Sequence, residues 1–136
     1  MMDSRKIAEL CAQKCLEKKA ENVVILDLED RSSVADYFVV ASGFSDRQVA
    51  AIADHVADEL KDQGVKALSQ EGMVEGRWAL IDLGPVIVHV FQDHLRDFYN
   101  IESLWLDAPR IRVQDPDSSS SNRGGSSGYS ASSLSF

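Results

Sequence analysis

Near the start of the chain, apolar positions recur at helical spacing. Ile7, Ala8, Cys11, Ala12, Cys15 and Leu16 fall on one stripe, so Asp3 to Lys19 is predicted to be a helix. Asp3 or Ser4 stands where an N-cap belongs. The pattern then shortens. "NVVILDL" (Asn22 to Leu28) is a compact apolar run rich in β-branched residues, which predicts a buried strand. "EDRSS" reads as a turn, and "ADYFVVAS" (Ala35 to Ser42) as a second strand closed by Gly43. Helical spacing returns in "SDRQVAAIADHVADELKDQG", where Val49, Ile52, Ala53, Val56 and Leu60 share one face. Ser45 and Gln48 have the spacing of a capping box, and Gly64 suits the position after the helix end.

"VKAL" predicts a short third strand and "SQEGMVEG" a loop. "RWALIDLGPVIVHVF" reads as two strands around a tight turn at Leu83-Gly84-Pro85; Pro85, lacking a donor, belongs at a strand start or an edge. "QDHLRDFYNIESLWLD" predicts a last helix, with Leu95, Phe98, Tyr99, Glu102 and Trp105 in rough register and Asp93 as its cap; Pro109 stops it. The predicted order is α-β-β-α-β-β-β-α: a small α/β domain with a mixed five-stranded sheet and flanking helices. It occupies residues 1–114. From Asp115 to Phe136 the sequence becomes Ser/Gly-rich with little to bury, and a flexible tail is expected.

Composition narrows the function classes. The 136 residues suit one domain, and a hydrophobic fraction of 44% is enough for a core. There are 14 basic and 22 acidic side chains, a formal net charge of -8. So acidic a protein has no general attraction for phosphate backbones, and no dense Lys/Arg cluster supplies a local one. Sequence-specific nucleic-acid binding is not expected; a basic protein partner fits the charge better. The N-terminal stretch is charged and lacks the apolar core of a signal peptide, and no run approaches the roughly 20 residues of a spanning helix, so a cytoplasmic protein without a membrane partner is expected. Cys11 and Cys15, four apart in a helical pattern, are awkward for a disulfide and too few for a zinc site. They read as small buried residues.

Four stretches could carry chemistry. "HVFQDHLRDFY" holds His89, His94, Asp93 and Asp97, but histidines paired on one metal along a helix sit three or four apart, and these are five apart across a strand–helix junction. His89, on the side of Ile87 and Phe91, reads as a packed strand residue and Asp93 as a cap. Asp27 and Glu29 in "LDLEDR" point the same way, as a two-metal nucleotidyltransferase needs, but no glycine-rich phosphate loop precedes them. "SGFSDRQ" joins a strand to a helix start without a phosphate-loop or nucleophile-elbow pattern. In "EGRWALIDLG", Trp78, Leu80 and Asp82 alternate to one side and Ala79, Ile81 and Leu83 to the other. If the second set packs on helices, Trp78 and Leu80 occupy an open sheet face, with the composition of a binding hot spot. Composition alone leaves core and surface open for Trp78.

"ADYFVVASGFSDRQVAAIAD", "EGMVEGRWALIDLGPVIVHVF" and "RDFYNIESLWLDAP" follow one another in an order and spacing that closely resemble the ribosomal silencing factor family, also called RsfS or Iojap-related. The likeness runs from about Ile7 to Pro109. It implies a nucleotidyltransferase-like core without catalytic residues, no cofactor and no reaction. It also implies binding to ribosomal protein fourteen of the large ribosomal subunit, a steric block to joining with the small subunit, repressed translation when nutrients are scarce, and a homodimer when free. Carried onto this sequence, the contact is expected at Arg77, Trp78, Leu80 and Asp82, with Trp78 as apolar anchor, Leu80 beside it, and Arg77 and Asp82 as a polar border. Asp36, Tyr37, Ser42, Asp46 and Arg47 match the pattern too, as structural residues or as a secondary contact. His89, Arg96 and Tyr99 also match it, whereas His94 falls where the pattern is loose. The alternative from another class is a nucleotide-binding or nucleotidyltransferase-type enzyme using Asp27 and Glu29.

Overall fold

The computed structural model describes residues 2–114; the tail expected from Asp115 lies outside the described residues. Helix α1 spans Ser4–Glu17, and Asp3 caps it by accepting the Lys6 backbone N–H at 2.9 Å. Strands β1 (Glu21–Asp27) and β2 (Tyr37–Gly43) follow. Helix α2 spans Asp46–Asp62. Then come β3 (Ser69–Glu71), β4 (Trp78–Asp82), β5 (Val86–Gln92), α3 (Asp93–Tyr99), a 3-10 turn (Ile101–Trp105) and β6 (Arg110–Val113).

Among the described residues the strands form one sheet in the order β3-β4-β5-β2-β1-β6. β2 and β5 run parallel, and every other neighbouring pair is antiparallel. A parallel pair needs a long crossover, which α2, β3 and β4 supply. Side chains alternate across the pleat, so each strand feeds two faces. Val23, Ile25, Val39, Ala41, Ala79, Ile81, Val88 and Val90 point to the face covered by α1 and α2, where Ile7, Cys11, Val49, Ile52, Val56 and Leu60 meet them. The opposite face carries three rows in register. One runs Leu80, His89, Val40, Val24, Arg112; the next Asp82, Ile87, Phe38, Leu26, Arg110; the third begins Trp78, Phe91, Ser42.

The predicted five-stranded sheet becomes six-stranded. "VKAL" is not a strand. Pairing with β4 starts only where the Leu68 N–H donates to the Asp82 carbonyl, so β3 lies in the segment expected to be a loop. All of β3 is exposed at the sheet edge, so it has no burial period to read. β6 was not expected. In its alternation Arg110 and Arg112 share one face while Ile111 and Val113 pack on the helical core, but four residues are too few for a pattern to be distinctive.

The single last helix is likewise two elements. Asn100 takes a left-handed conformation, φ 46°, which ends α3 and starts the 3-10 turn. Asparagine tolerates this better than other side chains. Asp93 is not the cap. Gln92 holds that position without a side-chain bond, and Asp93 lies in the first turn, its Oδ1 accepting the His94 N–H. The α2 start follows the predicted box in half. Ser45 accepts the Gln48 N–H at 3.1 Å, but Gln48 reaches one residue further back and accepts from Phe44. Its amide nitrogen also donates to the carbonyls of Lys18 and Lys19, tying α2 to the end of α1.

Candidate functional site

The sheet face away from α1 and α2 is built from aromatic rings. Trp78 on β4 stacks on Phe91 of β5 at 4.8 Å between centroids, and Tyr99 at the end of α3 lies 4.8 Å from the same indole. Phe38 on β2 packs edge-on against His89 at 4.6 Å and against Trp105 at 6.2 Å. Trp78, Leu80, Phe38 and Trp105 are half-buried; Phe91 is sealed. The same α3 and 3-10 segment that carries Tyr99 and Trp105 also carries exposed apolar side chains: Phe98 (77% exposed), Leu104 (73%) and Leu106 (77%). Apolar exposure beside an aromatic sheet face makes this the candidate interaction surface.

The alternation expected for β4 is present. Ala79 and Ile81 are buried against the helices, and Trp78 and Leu80 face the other way. Trp78 is half-buried within this face. Its ring faces are occupied by Phe91 and Tyr99, and its Nε1–H donates to His89 Nδ1 at 3.1 Å. Asp82 is half-buried, and its Oδ1 accepts the Gly84 N–H at 2.9 Å, shaping the β4–β5 turn. Gly84 there has φ +95°. Arg77 is exposed just before β4.

The secondary set divides. Tyr37 faces the helix-covered core, and its hydroxyl donates to Glu29 Oε1 at 3.4 Å. Asp36 joins the β5 start through its backbone, donating to the Pro85 carbonyl. Ser42 is buried on the open face. Asp46 and Arg47 are exposed at the α2 start, with Asp46 Oδ1 accepting the Arg47 N–H. They lie close to Arg77 because the loop before β4 presses on α2. Gly76 has φ +67°, and a Cβ there would overlap the Asp46 carbonyl; only glycine allows this approach. The structure thus gathers Arg77, Trp78, Leu80, Asp46 and Arg47 at one end of the sheet, and sets Tyr37 and Asp36 apart.

The suspected acid–base and metal groups have other partners. Asp27 Oδ1 accepts the Glu29 N–H at 3.0 Å and closes the strand end. Among the described residues no group of three or more His, Cys, Asp or Glu side chains is placed to hold a metal. His89 is buried, and burial lowers its pKa to about 4, so the ring is neutral at physiological pH. Because Nδ1 accepts from Trp78, the proton of the neutral ring sits on Nε2. Exposed His94 lies beside Asp93, 3.6 Å away, and takes no part in this arrangement.

One feature of the face had no clear trace in the sequence. Buried Arg96 of α3 forms a two-pronged pair with Glu102, Nε to Oε1 at 2.9 Å and Nη2 to Oε2 at 3.1 Å. Its Nη1 donates to the Asn22 carbonyl at 2.6 Å and to Ser42 Oγ at 2.9 Å. Arg110 adds a bond to Glu102 at 3.2 Å. Burial alone would raise the Glu102 pKa, but the two arginines outweigh it and hold the carboxyl below its usual range. The clamp joins α3, the 3-10 turn, β1, β2 and β6, and lines a polar cavity of about 490 Å³. Arg96 and Glu102 are six apart, not a helical contact spacing; only the break at Asn100 brings them together. The one available signal was Asn100 itself.

Fold and face together define a small single-sheet α/β domain with helices sealing one face and an aromatic surface on the other. The chain belongs to the ribosomal silencing factor family: the family model described as "Ribosomal silencing factor during starvation" matches residues 1–133. A curated relative from Bacillus subtilis, "Ribosomal silencing factor RsfS", is 45% identical over 108 residues, covering 79% of this chain and 92% of the relative. "Protein Iojap-related, mitochondrial" of Arabidopsis thaliana is 33% identical over 92 residues, covering 64% of this chain and 50% of that protein. A crystal structure of a Chromobacterium violaceum protein superposes with a TM-score of 0.75 at 38% identity, covering 76% of this chain and 87% of that one. The family is regulatory rather than catalytic in name. Among the described residues no helix is long and apolar enough to cross a membrane.

Proposed function

We propose that this protein silences translation by binding the large ribosomal subunit through ribosomal protein fourteen and sterically blocking its union with the small subunit, in the cytoplasm, when nutrients are scarce. The observation that carries this reading is the open aromatic sheet face, with exposed apolar side chains on the adjoining α3 and 3-10 segment, in a member of the silencing factor family. The net charge of -8 suits a basic ribosomal protein and steers the encounter. Arg77, Trp78 and Leu80 form the contact, with Asp46 and Arg47 beside them; Asp82 supports the turn behind. Residues 1–114 are the working domain, on a core of nucleotidyltransferase type, and the tail from Asp115 is a flexible appendage. The free protein is a homodimer. No cofactor enters.

Sedimentation of purified subunits through sucrose tests this reading. Excess protein should travel with large subunits and reduce the joined ribosome fraction; failure of both ends the proposal. Trp78→Ala should weaken binding by roughly 2 kcal/mol, about thirty-fold. Normal folding with normal binding would remove Trp78 from the contact. The enzyme alternative rests on Asp27 and Glu29, and both carboxylates are engaged within the fold. Calorimetry with nucleoside triphosphates and Mg²⁺ would revive it if heat were detected.

A further inference from the structure

Two buried donors on the open face have no acceptor. Among the described residues, His89 Nε2 and Trp105 Nε1 are sealed from solvent and make no hydrogen bond. The two rings come from different elements, β5 and the 3-10 turn, yet both pack on Phe38. Both must be donors. Trp78 engages His89 Nδ1, which commits Nε2 to carrying the proton. An indole nitrogen is a donor in any state. Buried donors are almost always paired, and those that are not ask for a reason.

The surroundings say what would pair them. The donors are neutral and lie among phenyl and indole rings, where a carboxylate or phosphate would lose its hydration without gaining a countercharge. A neutral carbonyl oxygen has a smaller desolvation cost and two lone pairs. Phe38 and Trp105 are only half-buried, and neither side chain is held by a hydrogen bond among the described residues, so a docking polypeptide can turn them aside.

We infer that His89 and Trp105 are carbonyl-recognition donors on the open sheet face, each taking a backbone carbonyl of the polypeptide that docks there. The inference rests on the large subunit as partner and adds what that partner must deliver. It assigns Trp78 a second role: by bonding Nδ1 it aims the His89 proton at the incoming oxygen. It also extends the contact from β4 across β5 and β2 to the 3-10 turn.

The test is to remove the donor and keep the shape. Full-length protein is made with Trp105→Phe, and separately with β-(3-benzothienyl)alanine at position 105, which replaces the indole N–H by sulfur. Affinity for purified large subunits and Tm are measured for each. The expected result is a roughly five-fold weaker Kd for the isosteric variant, with Tm unchanged or raised because an unpaired buried donor is gone. Unchanged affinity overturns the inference while leaving the proposed function standing. A fall in Tm for the isosteric variant also overturns it, since the N–H would then have a partner within the fold. Absence of binding by the unmodified protein overturns both.

Discussion

The two faces of the sheet are made by different rules. Under α1 and α2 the strands present Val, Ile and Ala, and the helices answer with more of the same. Among the described residues buried in that layer, the side-chain heteroatoms are the thiols of Cys11 and Cys15 and the Tyr37 hydroxyl; burial pushes both thiol pKa values up, so the cysteines behave as small apolar groups. The opposite face holds stacked aromatics, a neutral histidine and two orphaned donors, with exposed leucine and phenylalanine on the adjoining α3 and 3-10 segment. One face is a closed layer of buried aliphatic side chains. The other leaves polar atoms unpaired and rings half-covered, which a fold retains where stability yields to function. The same strands serve both, because successive residues alternate between them.

The largest effect should come from the edge of the open face. Arg96→Ala leaves the Glu102 carboxylate, the Asn22 carbonyl and Ser42 without their shared donor. Removing one partner of a buried ion pair costs roughly 3–5 kcal/mol. Urea unfolding measures it; a loss below about 1 kcal/mol would mean that the clamp does not hold this edge. A paired comparison then separates the faces. Ile52→Ala, in the sealed layer, should cost roughly 3 kcal/mol, whereas Leu80→Ala, half-buried opposite, should cost about 1. Equal losses would erase the distinction between the faces.

Acid should act on the open face before it acts elsewhere. His89 has a folded pKa of about 4 against an ordinary value of 6.5, so below 6.5 the unfolded state takes up a proton that the folded state refuses. Stability therefore falls as pH drops from 6.5 towards about 4, by up to roughly 3 kcal/mol, and this contribution then levels off. Glu102 works in a lower window. Its depressed pKa stabilises the fold above the ordinary carboxylate range, and that support is lost only as pH falls through the lower folded value. His89→Gln should flatten the upper part of the urea-stability profile and leave the lower part. An unaltered profile would place the acid sensitivity on other groups.

The sealed face was legible in the sequence because it is periodic. Val49, Ile52, Val56 and Leu60 recur at helical spacing, and Ala79 and Ile81 alternate; each pattern is local. The open face was only half legible. The alternation placed Trp78 and Leu80 on it but did not show that Phe91 and Tyr99 would occupy the indole or that Asp82 would turn away to Gly84. Those are contacts between elements, and no local period encodes them. The Arg96 clamp joins residues up to 74 positions apart, and β3 and β6 lie at edges where burial imposes too little pattern to be read. Family resemblance supplied the proposed partner, which no spacing of residues carries.

The smallest expected change bears most directly on the contrast. Trp78→Phe keeps an aromatic ring between Phe91 and Tyr99 but takes away the donor to His89 Nδ1. The loss in stability should be about 1 kcal/mol, the net worth of one hydrogen bond. The more telling readout is the tautomer. Nitrogen-15 NMR of the unaltered protein should show His89 with a bare Nδ1 and a protonated Nε2, since a neutral ring cannot accept and donate at the same atom. In the phenylalanine variant Nδ1 is free to carry the proton, and the second tautomer should become populated. Binding to the large subunit should then weaken beyond the loss of the indole alone, because a His89 protonated on Nδ1 offers a lone pair where the partner's carbonyl needs a donor. If the unaltered protein carries the proton on Nδ1, the open face holds one orphaned donor rather than two. Its polar character would then rest on Trp105 alone.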